Sequence, residues 1–327
     1  MLLLAAACSA SLVVHPSLPS KGSPQAVSAS LSRREALAAT TAASSLLFSA
    51  VAPAPALAAD VEIPGPREVM TNVKLPVGGS GTVDVSRRRF TGAGDPAWKF
   101  PSKDVSSYVL AEPFPAKYPY TGPDDFKRLD EADDTQFYKY PRLVYHIDEG
   151  AVASLTHHYA RTIKPGSDIL DICSSWVSHY PRDFPEKMHS IVGTGISAPE
   201  LQCNDQLSKS VASDLNKSPK LPFADKSFDY VTCVVSFDYL THPLEVMKEA
   251  VRVLRPGGSI ILSQSNRCFY SKAVGIWTRD MSDPAHLRVL STYMHFAGGL
   301  GTPQVLDISA TGPGTNDPMY IVQAVKA

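Results

Sequence analysis

A handful of acids, small hydroxyl residues and one pair of glycines are the parts of this 327-residue chain whose types and spacing could do chemistry. Asp171 stands in Leu170-Asp171-Ile172-Cys173-Ser174-Ser175-Trp176-Val177-Ser178-His179, where an acid is followed by side chains small enough to let a ligand approach the backbone. Asp214, in Ser213-Asp214-Leu215, precedes a proline-containing loop, where an acid commonly caps a turn. Asp238 and His242 are candidate proton acceptors, although a His just ahead of Pro243 also fits the entrance of a helix. Ser265-Asn266-Arg267-Cys268-Phe269-Tyr270 could bind a substrate or cap the next helix. Gly193-x-Gly195-x-x-Ala198 follows an apolar run and opens a helix, and Asp214 lies about 20 residues beyond, which is the dinucleotide-binding (NAD) pattern in miniature. Cys173, Cys203, Cys233 and Cys268 form no C-x-x-C pair, so a zinc site is not indicated.

These residues need elements to hold them. From Val144 onward, apolar runs of strand length alternate with helical periodicity. The spacing predicts a helix over Ile147–Ile163 with Ala151, Leu155 and Tyr159 on one face. Strands follow at Asp168–Cys173, His189–Gly195, Val211–Leu215, Phe228–Val235 and Ser259–Ser263. Between them fall a turn and short helix in Ser174–Met188, a helix over Ala198–Leu207, and one opened by Pro243 with Leu244, Met247, Val251 and Leu254 on its apolar face. Helices over Cys268–Thr278 and Pro284–Phe296 and strands at Gln304–Ile308 and Met319–Ala324 complete the pattern. Such alternation implies an α/β fold with a doubly wound, mostly parallel sheet and a ligand site outside the carboxyl ends of the strands.

Two segments carry a resemblance. Leu221-Pro222-Phe223-Ala224-Asp225-Lys226-Ser227-Phe228-Asp229 and Leu254-Arg255-Pro256-Gly257-Gly258, in this order, resemble the LPF-x-D-x-SFD segment and LRPGG turn of class I S-adenosylmethionine (SAM)-dependent methyltransferases of the type 11 kind. The resemblance spans roughly Val144–Ala327. It implies a Rossmann-like sheet of seven strands ending in an antiparallel hairpin, SAM as cofactor, and methyl transfer to an unidentified small-molecule or protein acceptor. Carried over residue by residue, Asp171 matches the acid of the first motif, and Cys173, Ser175 and Val177, with Ser174 between, stand where alternating glycines belong. Val177 is β-branched and should resist positive φ. Gly195, followed by Ile196, replaces the strand-end acid that grips the ribose hydroxyls, and Asp214 with Leu215 matches the acid beside adenine. Ser236 opens the loop that, as the resemblance implies, closes over the cofactor. Methyl transfer needs a base only when the acceptor must first lose a proton, and no catalytic residue is assigned. The two departures leave open a non-catalytic methyltransferase-fold binding or assembly factor in the plastid. NAD binding is the lesser alternative, because its pattern falls on the second strand rather than the first.

Residues 1–58 hold three basic residues, Lys21, Arg33 and Arg34, and one acid, Glu35, in an Ala/Ser/Leu/Pro-rich background. That composition resembles an organelle transit peptide. The twin arginine ahead of an apolar stretch and Ala56-Leu57-Ala58 resembles a twin-arginine export signal. The expectation is a chloroplast protein, exported to the thylakoid lumen, with no stable transmembrane segment in the mature chain. Residues 59–143 read as an irregular arm and 144–327 as the methyltransferase-like domain. Without residues 1–58 the formal net charge is −3, and nucleic acid is a poor candidate partner.

Overall fold

The computed structural model describes residues 97–327, together with the backbone of two short strands, β1 (Thr71–Lys74) and β2 (Ser80–Val83), paired antiparallel. The targeting signals expected in residues 1–58 lie outside the described residues, as does most of the arm before Ala97.

The remaining strands build one eight-stranded sheet. They are β3 (Lys103–Asp104), β4 (Asp168–Ile172), β5 (Ser190–Gly195), β6 (Lys209–Ala212), β7 (Phe228–Val234), β8 (Leu254–Gln264), β9 (Gln304–Asp307) and β10 (Tyr320–Val325). Their order is β3-β9-β10-β8-β7-β4-β5-β6. Strands β8, β7, β4, β5 and β6 run parallel, while β10 is antiparallel to both β8 and β9. The expected seven strands and closing hairpin are present. The eighth strand comes from the arm, where Lys103 and Asp104 pair with Asp307 and Leu306 at the sheet edge. Two charged residues carry no strand pattern, so this addition had no signature in the sequence.

Three long helices flank the sheet: α1 (Glu149–Thr162), α2 (Pro243–Val253) and α3 (Asp283–Ala297). Asp148 caps α1 by accepting the Ala151 N–H at 2.8 Å, and the expected face of Ala151, Leu155 and Tyr159 is fully buried. Pro243 opens α2 as expected, but its buried stripe runs through Val246, Met247, Ala250 and Val253 rather than through Leu244 and Val251. The polar side of α2 pins the Leu221–Phe223 segment. Arg252 donates to Leu221 O and Phe223 O, and Glu249 accepts the Leu221 N–H.

Three element boundaries move. The third parallel strand is Lys209–Ala212, two residues earlier than Val211–Leu215. The helix expected over Ala198–Leu207 ends at Cys203, and the one expected from Cys268 begins only at Gly275. The Leu254–Gly258 turn is instead a bulge within β8: the register jumps from Phe228↔Leu254 to Tyr230↔Ser259, with Gly257 at φ 78°. Strand β4 pairs with β5 on one side and β7 on the other, so the chain reverses its winding there and leaves a crevice above the strand ends.

Candidate functional site

A cavity of about 290 Å³ occupies that crevice. Asp171, Cys173, Ser174, Ser175, Gly195, Ile196, Asp214, Leu215 and Ser236, the nine residues carried over from the resemblance, all line it. Asp238 and His242 do not: Asp238 is fully buried behind the wall, and His242 stands at the entrance of α2 on a neighbouring groove.

The loop after β4 is organised by Asp171, only 2% exposed. Ser178 Oγ donates to its Oδ2 at 2.6 Å, Ser174 Oγ to the same oxygen at 2.7 Å, and Thr232 Oγ1 to Oδ1 at 3.2 Å. Burial pushes the carboxyl up to about 6, and the three hydroxyl bonds hold it from rising further. Asn204 donates to Ser175 O and Ser178 Oγ, and the Trp176 indole N–H to Val144 O, so the loop is tied to neighbouring segments as well as to the sheet.

The positive φ falls on Cys173 (54°) and His179 (60°), and Val177 is not among the left-handed residues. The first family glycine position therefore keeps its left-handed backbone with a cysteine in place, while the third does not need one. The Cys173 thiol hydrogen-bonds that of Cys233 on the adjacent strand and, with burial, pushes Cys233 upward; both cysteines are free. Val235, φ 38°, is a third strained residue at the cavity wall.

Gly195 is where the departures explain one another. A Cβ placed there would sit 2.1 Å from Ser174 O. The serine-bearing loop lies flat on the strand end, and only glycine leaves room for it. Gly193 is a mid-strand residue whose Cβ would meet Leu207 Cδ1 at 2.4 Å. Neither glycine has positive φ, and the following helix is six residues long. The pair therefore serves packing of β5, and the dinucleotide pattern has no phosphate-binding turn here.

Asp214 both caps a turn and lines the cavity: its Oδ1 accepts the Asn216 N–H at 3.0 Å. Asn216 is a hub that local sequence gives no sign of. Its amide donates to Asp134 Oδ2 and Tyr239 O, and its Oδ1 accepts the Thr241 N–H. Arg267, Cys268 and Phe269 of the open segment after β8 reach the cavity, and Phe269 N–H donates to Tyr239 Oη at 2.8 Å.

The arm closes the remaining side with Arg128, Asp134, Tyr138 and Arg142. Lys272, 1% exposed, donates to Ala132 O at 2.7 Å and lies 3.1 Å from Asp134, which Arg128 also grips at 2.8 Å. Burial alone would raise Asp134, but the bonds from Arg128, Asn216 and Lys272 outweigh it and hold the carboxyl below its ordinary value. The Arg142 guanidinium lies 4.0 Å over the Phe137 ring and 5.4 Å from that of Phe269, with its Nη1 buried and unpaired among the described residues. Glu200 completes the lining. It is buried, and accepts Ser175 Oγ on one oxygen and the Arg142 N–H on the other.

Around this crevice, residues 172–262 match a family model described as a methyltransferase domain. The matched segment runs from the end of β4 into β8, through the parallel part of the Rossmann-like sheet. Curated relatives include the demethylmenaquinone methyltransferases of Bacillus mycoides strain KBAB4, 29% identical, and Bacillus cereus strain AH187, 30% identical, each over 119 residues that make up 32% of this chain and 47% of the relative. The chain spans about half the length of the curated relatives it matches. Among solved structures, a SAM-dependent methyltransferase from Aquifex aeolicus is 15% identical with TM-score 0.39, covering 60% of this chain and 94% of that one. Geranyl diphosphate C-methyltransferase from Streptomyces coelicolor A3(2), determined with Mg2+, geranyl diphosphate and S-adenosyl-L-homocysteine, is 15% identical with TM-score 0.38, covering 55% and 79%. Arg128 to Ile147 and Arg267 to Lys272, which close the cavity, lie outside the matched segment.

Proposed function

We infer that the chain is a SAM-dependent methyltransferase whose cofactor lies against the loops after β4, β5, β6 and β7. The observation that carries this reading is the convergence of all nine carried-over residues on one cavity at the strand ends. Its volume, about 290 Å³, is at the small end of the range for small-molecule sites, roughly 300–1,000 Å³. The lining fits the group: Asp171 and Glu200 supply buried carboxylate, and the close approach of Ser174 to Gly195 gives a flat backbone floor. When bound, SAM supplies an electrophilic methyl group on a cationic sulfonium.

This chain's residues then position and enclose. Asp171 fixes the loop through Ser174 and Ser178, and Asp214 and Asn216 fix the loop after β6. Trp176 and the arm residues Tyr138 and Arg142 shield the cavity from water, which methyl transfer in the correct line of attack requires. His146 and His179 line the cavity with imidazoles that burial holds below their ordinary values, so they are neutral at pH 7 and able to take a proton from an acceptor that must lose one. The wall of Tyr138, Tyr145, Trp176 and Phe269 suits a planar acceptor. The substrate in the relatives' name, a demethylated menaquinone, is therefore the first acceptor to try. A plastid location is retained as part of the reading; mass spectrometry of the mature N-terminus, expected at Ala59, tests it.

Ultraviolet cross-linking of methyl-labelled SAM tests the site. Label is expected in peptides covering 173–177 or 213–215 and should be abolished by excess S-adenosylhomocysteine (SAH). Label confined to other peptides, or insensitive to SAH, would contradict the assignment.

A further inference from the structure

Glu200 is a buried carboxylate, on the short helix Ala198–Cys203, that lines the cavity beside Ser174, Gly195 and Ile196. Its bonds come from neutral donors: Ser175 Oγ to Oε2 at 2.7 Å and the Arg142 backbone N–H to Oε1 at 2.8 Å. An ionised carboxylate offers about four acceptor directions, so one bond per oxygen leaves each oxygen able to take another. Burial raises the Glu200 carboxyl, opposed by those two bonds and by the charge of Arg142 acting through space. A carboxylate desolvated to this degree is satisfied by a ligand that brings two more donors side by side. Two adjacent hydroxyls on one ring have that spacing.

The neighbouring strand end cannot do this work. A side chain at position 195 would begin 2.1 Å from Ser174 O, so no carboxylate fits there while the loop lies as it does. Ser174 lies against Gly195, and the next residue, Ser175, is the one bonded to Glu200. One loop therefore both closes position 195 and holds the helix-borne carboxylate in place.

We propose that Glu200 is the diol-binding residue of the cavity: its carboxylate, presented from the helix rather than the strand, accepts the two hydroxyls of a nucleoside ribose. The proposal rests on the SAM reading above. A purely architectural Glu200, which only staples Ser175 to the arm, would weaken every ligand alike when removed. A diol-binding Glu200 distinguishes ligands that differ by one hydroxyl.

The test is calorimetric titration of the full chain with SAH and its 2′-deoxy and 3′-deoxy analogues. In the wild type each missing hydroxyl should weaken binding by about 10–100-fold, the range of a hydrogen bond to a charged group. In Glu200→Gln that penalty should fall to about 3-fold or less. Ser175→Ala, which removes the staple but leaves the carboxylate, should keep the wild-type penalty even if SAH itself binds more weakly. Because the ligands are compared within one protein, a distorted loop cancels from the ratio. Equal penalties in wild type and Glu200→Gln would overturn the proposal, as would a wild type indifferent to both hydroxyls; in either case SAH binding leaves the cofactor reading standing. A wild type that binds no SAH overturns both.

Discussion

Replacing Asp171 with asparagine should change how stability depends on pH, and the size of the change follows from the site. Asp171 is buried, and its carboxyl in the folded protein sits at about 6, against an ordinary value of 3.8. Between these values the unfolded chain has released the proton while the folded protein still holds it. The unfolded state then binds fewer protons, so stability is full below 3.8 and falls as pH rises through 6. At 1.36 kcal/mol per unit, the loss by neutral pH is about 3 kcal/mol. The amide that takes the carboxyl's place in the variant does not titrate. Urea unfolding of wild type and Asp171→Asn at intervals from pH 4 to pH 8 should give two stability curves whose difference shifts in the mutant's favour by about 2.4 kcal/mol across that range, most of it between pH 4 and 6.5. Other titrating groups are common to both proteins and drop out of the difference. Parallel curves, or a difference that moves against the mutant as pH rises, would refute the picture of a desolvated carboxylate held by three hydroxyls.

Two further substitutions probe the frame. Gly195→Ala drives a methyl group to within 2.1 Å of Ser174 O and should cost roughly 1–3 kcal/mol in urea unfolding while displacing the loop and weakening SAM binding; a variant with wild-type stability and affinity would mean the loop is not seated on β5. Lys272→Met removes the cation that ties Ala132, Asp130 and Asp134 together and leaves Asp134 less compensated, for an expected loss of about 3–5 kcal/mol. Hydrogen exchange should show the Asp130–Phe137 segment opening first, and unchanged protection there would place the arm's anchorage elsewhere.

Much of the sheet was legible because its central strands are apolar runs bounded by turn residues: Leu170, Ile172, Val231 and Cys233 are buried where the pattern puts them. The resemblance located the cavity residues, since junction loops after parallel strands have one place to go. What escaped reading depends on partners distant in the chain. Glu200 meets Arg142 58 residues away, and Asn216 meets Asp134 82 residues away. Neither has a local pattern beyond a polar residue in a segment that turns out to be packed. The Cys268 helix failed for a related reason: its apolar spacing is real, but Phe269 turns to Phe137 and Tyr239 of other segments, and Lys272 to the arm, so the chain stays open until Gly275. The glycine for acid exchange at 195 looked like a lost contact, and becomes intelligible only when the neighbouring loop is seen resting on it.

Titration of the full chain with SAM in a calorimeter, repeated with the cavity pre-filled by SAH, addresses the cofactor reading without intermediaries. A saturable single-site heat that disappears in the presence of SAH is the outcome this structure leads to. No heat and no shift in melting temperature at millimolar SAM would mean that the frame of a methyltransferase is present here without its cofactor.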